Sequence, residues 1–217
     1  YDTIGDITAC PGTDTCNLGI ASSTGIATEL ERVLATEYPQ YANNTGITIK
    51  ISGCMNACGQ HNMAEIGFQG MSINSGKLVA PALQVLLGGG NLGNGQGRFA
   101  DKVIKIPSRR GPEALRFILN DFESNSDGKS FLDYYDAKGE KYFFDLLTPL
   151  ADITNLTEED FVDWGNADNY VKAIGVGECA GVVIDLVATL IFEAKDKLTF
   201  AYEEKKKKKW SDAIYLT

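Results

Sequence analysis

Gly46-Ile47-Thr48-Ile49-Lys50-Ile51-Ser52-Gly53-Cys54-Met55-Asn56-Ala57-Cys58-Gly59-Gln60 is the stretch whose reading decides the fold. Its first half alternates Ile with Thr and Lys, the period-2 pattern of a strand with one face buried. Gly53 ends the alternation, and two cysteines follow with three residues between them. A strand that runs straight into a cysteine pair places its chemistry at the edge of a sheet.

Upstream, Cys10-Pro11-Gly12-Thr13-Asp14-Thr15-Cys16 reads as a loop from its Pro and Gly. A helix is predicted from Leu18 to Tyr38, with Ile26, Leu30, Val33 and Leu34 at helical spacing and Pro39 helping to end it. Downstream, Glu65 to Gln69, Leu83 to Leu87 and Lys102 to Ile106 read as strands, and the Gly- and Asn-rich run from Gly88 to Gly97 as a flexible loop. Pro112 opens a helix to about Phe122, since its missing N–H is harmless in a first turn. After Asp127-Gly128 the strand patterns stop. Phe131 to Leu147 reads as helical with a break near Gly139, and Thr157-Glu158-Glu159-Asp160 as a helix start. Val182, Val183, Leu186, Val187, Leu190, Ile191, Ala194 and Leu198 form an apolar stripe on a helix from about Glu178 to Glu204, and another helix begins near Trp210. These patterns predict an α+β fold: a mixed sheet of about four to five strands with flanking helices, then an all-helical C-terminal segment. The expected division is 1–148 for the sheet-bearing domain and 149–217 for a truncated helical extension.

Composition narrows the function classes. A chain of 217 residues with 44% hydrophobic and 23% charged residues is globular. A net charge of −9 argues against a nucleic-acid surface. The most apolar run, Cys179 to Phe192, is shorter than the roughly 20 residues of a membrane span and contains Asp185, so no membrane segment is expected. Five cysteines are an odd number, and four of them lie in two close pairs. That pattern points to metal binding in a reducing, cytoplasmic compartment rather than to a secreted disulfide scaffold. The chain starts at Tyr1 and stops inside an apolar-periodic stretch, Ile214-Tyr215-Leu216-Thr217, so a fragment of a longer protein is expected.

Cys10, Cys16, Cys54 and Cys58 are the candidate ligands. Soft thiolates select iron–sulfur clusters or zinc over magnesium or calcium. Five residues between Cys10 and Cys16 is a wide spacing for zinc pairs, and the compact ferredoxin run is absent. A four-iron cluster can take two thiolates from each of two loops, provided both loops lie at one sheet edge. Cys54 follows a strand, and Cys10 and Cys16 precede the helix that leads into that strand, so the two loops can meet. Gly12, Gly53 and Gly59 would let backbone approach the bound group closely.

Ser52-Gly53-Cys54-Met55-Asn56-Ala57-Cys58, with Glu65-Ile66-Gly67-Phe68 after it, resembles the signature of the siroheme and iron–sulfur sulfite and nitrite reductases. Ala9-Cys10-Pro11-Gly12-Thr13-Asp14-Thr15-Cys16-Asn17-Leu18 resembles that family's upstream cysteine pair. The resemblance continues through Leu86-Leu87-Gly88-Gly89-Gly90 and Lys102 to Pro107, and it fades after about Phe131-Leu132-Asp133-Tyr134. It implies a [4Fe–4S] cluster on the four cysteines, with Cys58 also bridging to the iron of siroheme. The implied reaction is six-electron reduction of nitrite to ammonia or of sulfite to sulfide. The implied electron donor is a ferredoxin or a flavoprotein. The family's anion-binding Arg and Lys residues fall in its upstream half, so no catalytic residue is assigned in this chain, and the chain alone is expected to be inactive and able to lack its cofactors. The alternative is a non-catalytic interaction module stapled by zinc on the same four cysteines.

Other residues carry weaker signals. Asn56 and Gln60 suit either hydrogen bonds to the cofactors or simple loop capping. His61, the only histidine, is read as packed or solvated rather than as an iron ligand or proton donor. Lys105, Arg109 and Arg110 could contact siroheme carboxylates, with an ordinary solvated surface as the favoured reading. Cys179 reads as a small packed residue, and Lys205 to Lys209 as a solvated face.

Overall fold

A computed structural model describes residues 3–171, apart from 42, 44, 45 and 77. Among the described residues seven strands form: β1 (Thr8–Ala9), β2 (Ile49–Ser52), β3 (Ile66–Ser75), β4 (Leu78–Leu87), β5 (Gly90–Gly93), β6 (Gln96–Arg98) and β7 (Asp101–Pro107). Five of them make one mixed sheet in the order β1-β2-β3-β4-β7. β1, β2 and β3 run parallel, while β3–β4 and β4–β7 pair antiparallel. The expected α+β architecture and strand number are thus present.

Helix α1 (Ser23–Glu37) makes the crossover from β1 to β2. Its N-cap Ser22 accepts a bond from the Gly25 N–H, satisfying one of the first-turn donors. Helix α2 (Gly111–Asn125) carries Pro112 in its first turn, as read from the sequence. Ile26, Leu30 and Val33 of α1 and Leu115, Ile118 and Leu119 of α2 share one core with Ile49, Ile51, Phe68, Val85 and Ile106 of the sheet. Each fully buried aliphatic side chain there contributes ~1.5–3 kcal/mol. Helices α3 (Phe131–Lys138) and α4 (Glu140–Leu147) add Phe131, Tyr134, Phe143 and Leu147 to the same core. Gly139, at φ 80°, is the break between them that the sequence shows.

The run from Gly88 to Gly97, read as a flexible loop, instead contains the β5–β6 hairpin. Asn94 and Gly95, at φ 51° and 75°, supply its two-residue turn. The helix start read at Thr157 is a capping box with Asp160, and it closes one 3-10 turn, Glu158–Phe161. Val162, at φ −111° and ψ 124°, leaves the helical region and ends it. Arg109 bonds the Val162 and Asp163 carbonyls, and Arg110 bonds those of Leu150 and Asp152. Residues 152–171 therefore run as a strap across the sheet-bearing domain. Contacts divide the chain into Tyr1–Gly175 and Val176–Thr217. The stripe from Val182 to Leu198, Cys179, Lys205–Lys209 and the helix near Trp210 lie outside the described residues. Among the described residues no helix is long and apolar enough to cross a membrane.

Candidate metal centre

The parallel pairing of β1 with β2 brings the cysteine pairs together. Thr8 lies opposite Lys50 and Ala9 opposite Ile51, so both strands end at the same sheet edge. Cys10 follows β1 directly, and Cys54 comes two residues after β2. The loops are then stitched to each other. Cys10 N–H donates to the Ile51 carbonyl at 3.2 Å, and the Ile20 and Ala21 amides both donate to the Gly53 carbonyl at 2.8 and 3.0 Å. Gly53 N–H donates to Cys10 Sγ at 3.1 Å. Ser23 Oγ donates to the Cys10 carbonyl at 2.7 Å and lies 3.4 Å from its sulfur.

Two glycines make this stitching sterically feasible. A Cβ on Gly59 would sit 1.9 Å from the Ile51 carbonyl oxygen, and one on Gly53 would sit 2.7 Å from both the Ala21 oxygen and the Gly12 Cα. The obstacles are backbone atoms, which cannot step aside. Gly53 thus lets one loop lie on the other, and Gly59 lets the second loop fold back on the strand before it. Ala57 and Gln60, at φ 58° and 56°, adopt the left-handed conformation without being glycine, a local strain of ~1 kcal/mol each.

Cys10 and Cys16 are half-buried, Cys54 is buried and Cys58 is exposed. Asn56 is exposed beside Met55, and the Gln60 side chain accepts a bond from Lys50 Nζ at 2.9 Å. Gln60 is thus directed at the sheet strand β2. Among the described residues, no three His, Cys, Asp or Glu side chains gather around a single metal ion. Four soft sulfurs on two interlocked loops, with a backbone N–H already aimed at one sulfur, suit a thiolate-held group.

His61 is packed, at 3% exposure, rather than solvated. Burial pushes its pKa below the usual 6.5; a hydrogen bond with Gln69 opposes that shift, and the charge of Lys102 adds to it. Its Nδ1 has no hydrogen-bond partner. Arg109 and Arg110 are half-buried, and the bonds they make go to the segment 150–164. The Arg109 guanidinium lies 4.4 Å from the centre of the Trp164 ring and bonds the Val162 carbonyl at 2.8 Å, while Arg110 bonds the Leu150 carbonyl at 2.9 Å. Lys105 is exposed.

The strap residues Asp163, Trp164 and Tyr170 were not singled out by sequence reasoning. Asp163 and Tyr170 close one side of a cleft of about 290 Å³ that Cys16, Asp14 and Ile20 line from the other side. Asp163 is buried, and this desolvation pushes its carboxyl up; bonds from the Ser22 and Trp164 amides and the charge of Arg109 act against the rise. Their one sequence signal is an acid and two aromatics in a polar, aperiodic run, which no pattern rule separates from a loop.

The model of the nitrite and sulphite reductase 4Fe-4S domain matches residues 1–135. The chain is 25% identical over 144 residues to the assimilatory ferredoxin-dependent nitrite reductase of Haloferax mediterranei, covering 65% of this chain and 24% of that protein. It is 34% identical over 131 residues to sulfite reductase [ferredoxin] 1 of Mycolicibacterium paratuberculosis, covering 57% of this chain and 23% of that one. Among solved structures, the NirA protein of Mycobacterium tuberculosis superposes with a TM-score of 0.53 at 26% identity, over 64% of this chain and 26% of its own. The chain spans about a quarter of the length of these relatives. With more than half of its residues matched, the chain belongs to the nitrite and sulphite reductase 4Fe-4S domain family.

Proposed function

We propose that the chain is the C-terminal, cluster-binding part of a reductase that converts nitrite to ammonia or sulfite to sulfide. The observation that carries this reading is the interlock of the two cysteine loops at one end of the parallel strands β1 and β2. Cys10, Cys16, Cys54 and Cys58 would hold a [4Fe–4S] cluster, and Cys58 would also reach the siroheme iron. Exposure of Cys58 supports that second role. When bound, the two groups supply electron storage and a substrate-binding iron.

The chain's own residues do the positioning. Gly53 N–H, bonded to Cys10 Sγ, draws negative charge from that sulfur and so favours the reduced form of whatever it ligates. Ser23 Oγ fixes the Cys10 backbone. Gln60, held by Lys50, anchors the end of the second loop, so a direct role at a cofactor rim falls to Asn56. The donor would be a ferredoxin, as the names of the two relatives state for those proteins, or a flavoprotein. The setting would be cytoplasmic.

Anaerobic reconstitution of this chain with ferrous iron and sulfide tests the reading. The expected result is about four irons and four sulfides per chain, visible absorption, and loss of both in each Cys→Ser variant. Stoichiometric zinc with no visible absorption would instead establish the metal-stapled interaction module. The isolated chain is expected not to reduce either anion. Kinetics of the intact protein with nitrite and with sulfite decide the substrate.

A further inference from the structure

Residues 152–171 lie beyond the part matched by the family model, yet they close on the segment that joins Cys16 to α1. Ser22 N–H, at the start of that helix, donates to Asp163 Oδ2 at 2.7 Å across 141 residues of chain. Asp163 Oδ1 accepts from Trp164 N–H at 2.9 Å, which fixes the carboxylate plane. Tyr170 O–H donates to the Ile20 carbonyl at 2.5 Å. Trp164 abuts Gly25 so closely that a Cβ there would lie 2.6 Å from the Trp164 carbonyl carbon and oxygen. The strap itself is pinned from behind: the Trp164 indole N–H donates to the Ser108 carbonyl at 2.9 Å, and Arg109 stacks on its ring.

The contact at Ile20 has a chemical direction. The peptide between Ile20 and Ala21 accepts from Tyr170 at its carbonyl, and its own N–H donates to the Gly53 carbonyl. A peptide polarised at its oxygen is a better donor at its nitrogen. The Gly53 carbonyl belongs to the peptide whose N–H is that of Cys54, while Gly53 N–H, in the peptide before it, is the one that points at Cys10 Sγ, so the strap acts on that bond by placing the loop. Thus the strap touches no cysteine sulfur through these bonds. It instead grips the segment from which the first pair is hung and on which the second pair rests.

We infer that Asp163 and Tyr170 are positioning residues for the cysteine set, holding the Cys10–Cys16 loop in register with Gly53. The inference rests on the reading that the four cysteines hold an iron–sulfur cluster. Part of it can be tested without that cluster. Pulsed alkylation of the reduced, cluster-free 217-residue chain reads the reactivity of each cysteine by mass spectrometry. Tyr170→Phe removes one hydrogen bond, and the expected rise in Cys16 alkylation is about fivefold; Asp163→Ala removes two, from the Ser22 and Trp164 amides, and about tenfold is expected. Cys54 should stay within about twofold of the parent. Tyr142→Phe, which removes a bond to Asp121 among the helices, serves as the control that should move neither.

The second arm uses the reconstituted chain. Tyr170→Phe should lower the midpoint potential, because a loop out of register weakens the Gly53 N–H bond to Cys10 Sγ that stabilises the reduced cluster, and should speed iron loss to a chelator about fivefold. Equal Cys16 alkylation in Tyr170→Phe, Asp163→Ala and the control would overturn the inference. So would faster alkylation with an unchanged potential, since the strap would then be only a cover. If the parent chain assembles no cluster, the cysteine assignment fails, and alkylation alone decides whether the strap holds the loop.

Discussion

The two cysteine loops sit side by side but are secured in different ways. The Cys10–Cys16 loop is bounded by α1, by the Gly53 turn and by a strap that arrives from residues 152–171. The Cys54–Cys58 loop carries left-handed backbone at Ala57, with another left-handed residue, Gln60, two positions past Cys58. It also leaves Met55 76% exposed and Cys58 exposed. The first loop gains its order from contacts remote in sequence. The second gains it from its own backbone and from the strand before it. A site built in this way is stiff on one side and open on the other. The open side is where Cys58, the ligand proposed to be shared, would meet a second group.

Substitutions can break that contrast. The largest effect is expected at Gly59, where the first added carbon meets the Ile51 carbonyl. Gly59→Ala should destabilise the chain by more than about 3 kcal/mol or abolish soluble expression, as urea unfolding would show. Such a loss would mean that the exposed loop owes its shape to close backbone contact. Trp164→Ala comes next. It removes the bond to Ser108 and the stack on Arg109, and a loss of about 2–3 kcal/mol is expected, again by urea unfolding. Its signature should be selective, with Cys16 more reactive to alkylation and Cys58 unchanged.

His61 probes the ground beneath the second loop. Its pKa is lowered in the fold, so the neutral form is the one the folded chain prefers. The associated stability is fully present above about pH 6.5 and is lost as pH falls through the depressed folded value. Urea midpoints between about pH 7.5 and 5.5 should fall more steeply in the parent than in His61→Gln, by up to about 1.4 kcal/mol per pH unit. Equal slopes would show that the buried ring carries no such linkage. The smallest effect is expected for Ala57→Gly, which relieves a left-handed alanine and should raise stability by about 0.5 kcal/mol. Loss of stability there would place the strain of the open loop somewhere else.

The parts legible in the sequence were those with a local cause. Alternating Ile49 and Ile51 gave β2, Pro112 gave the start of α2, and Gly139 gave the break between α3 and α4. β3 is longer than its pattern, running on through Gly70, Ser72 and Asn74, because a ten-residue ladder with β4 supports residues that are poor strand formers alone. The β5–β6 hairpin carried a readable Asn94-Gly95 turn that the surrounding glycines obscured. The two cysteine loops could be paired from their spacing relative to one strand and one helix. The strap could not be read, since Asp163, Trp164 and Tyr170 find their partners at Ser22, Ser108 and Ile20. No periodicity encodes a contact across 150 residues.

That separation also sets a clock during synthesis. Tyr170 leaves the ribosome 150 residues after Ile20. At typical elongation speeds of ~5–20 residues per second, the delay is roughly 8 to 30 seconds. Until then the nascent chain presents Cys10 and Cys16 with neither Asp163 nor Tyr170 to hold them, and an assembly or scavenging factor has that interval to reach both thiols.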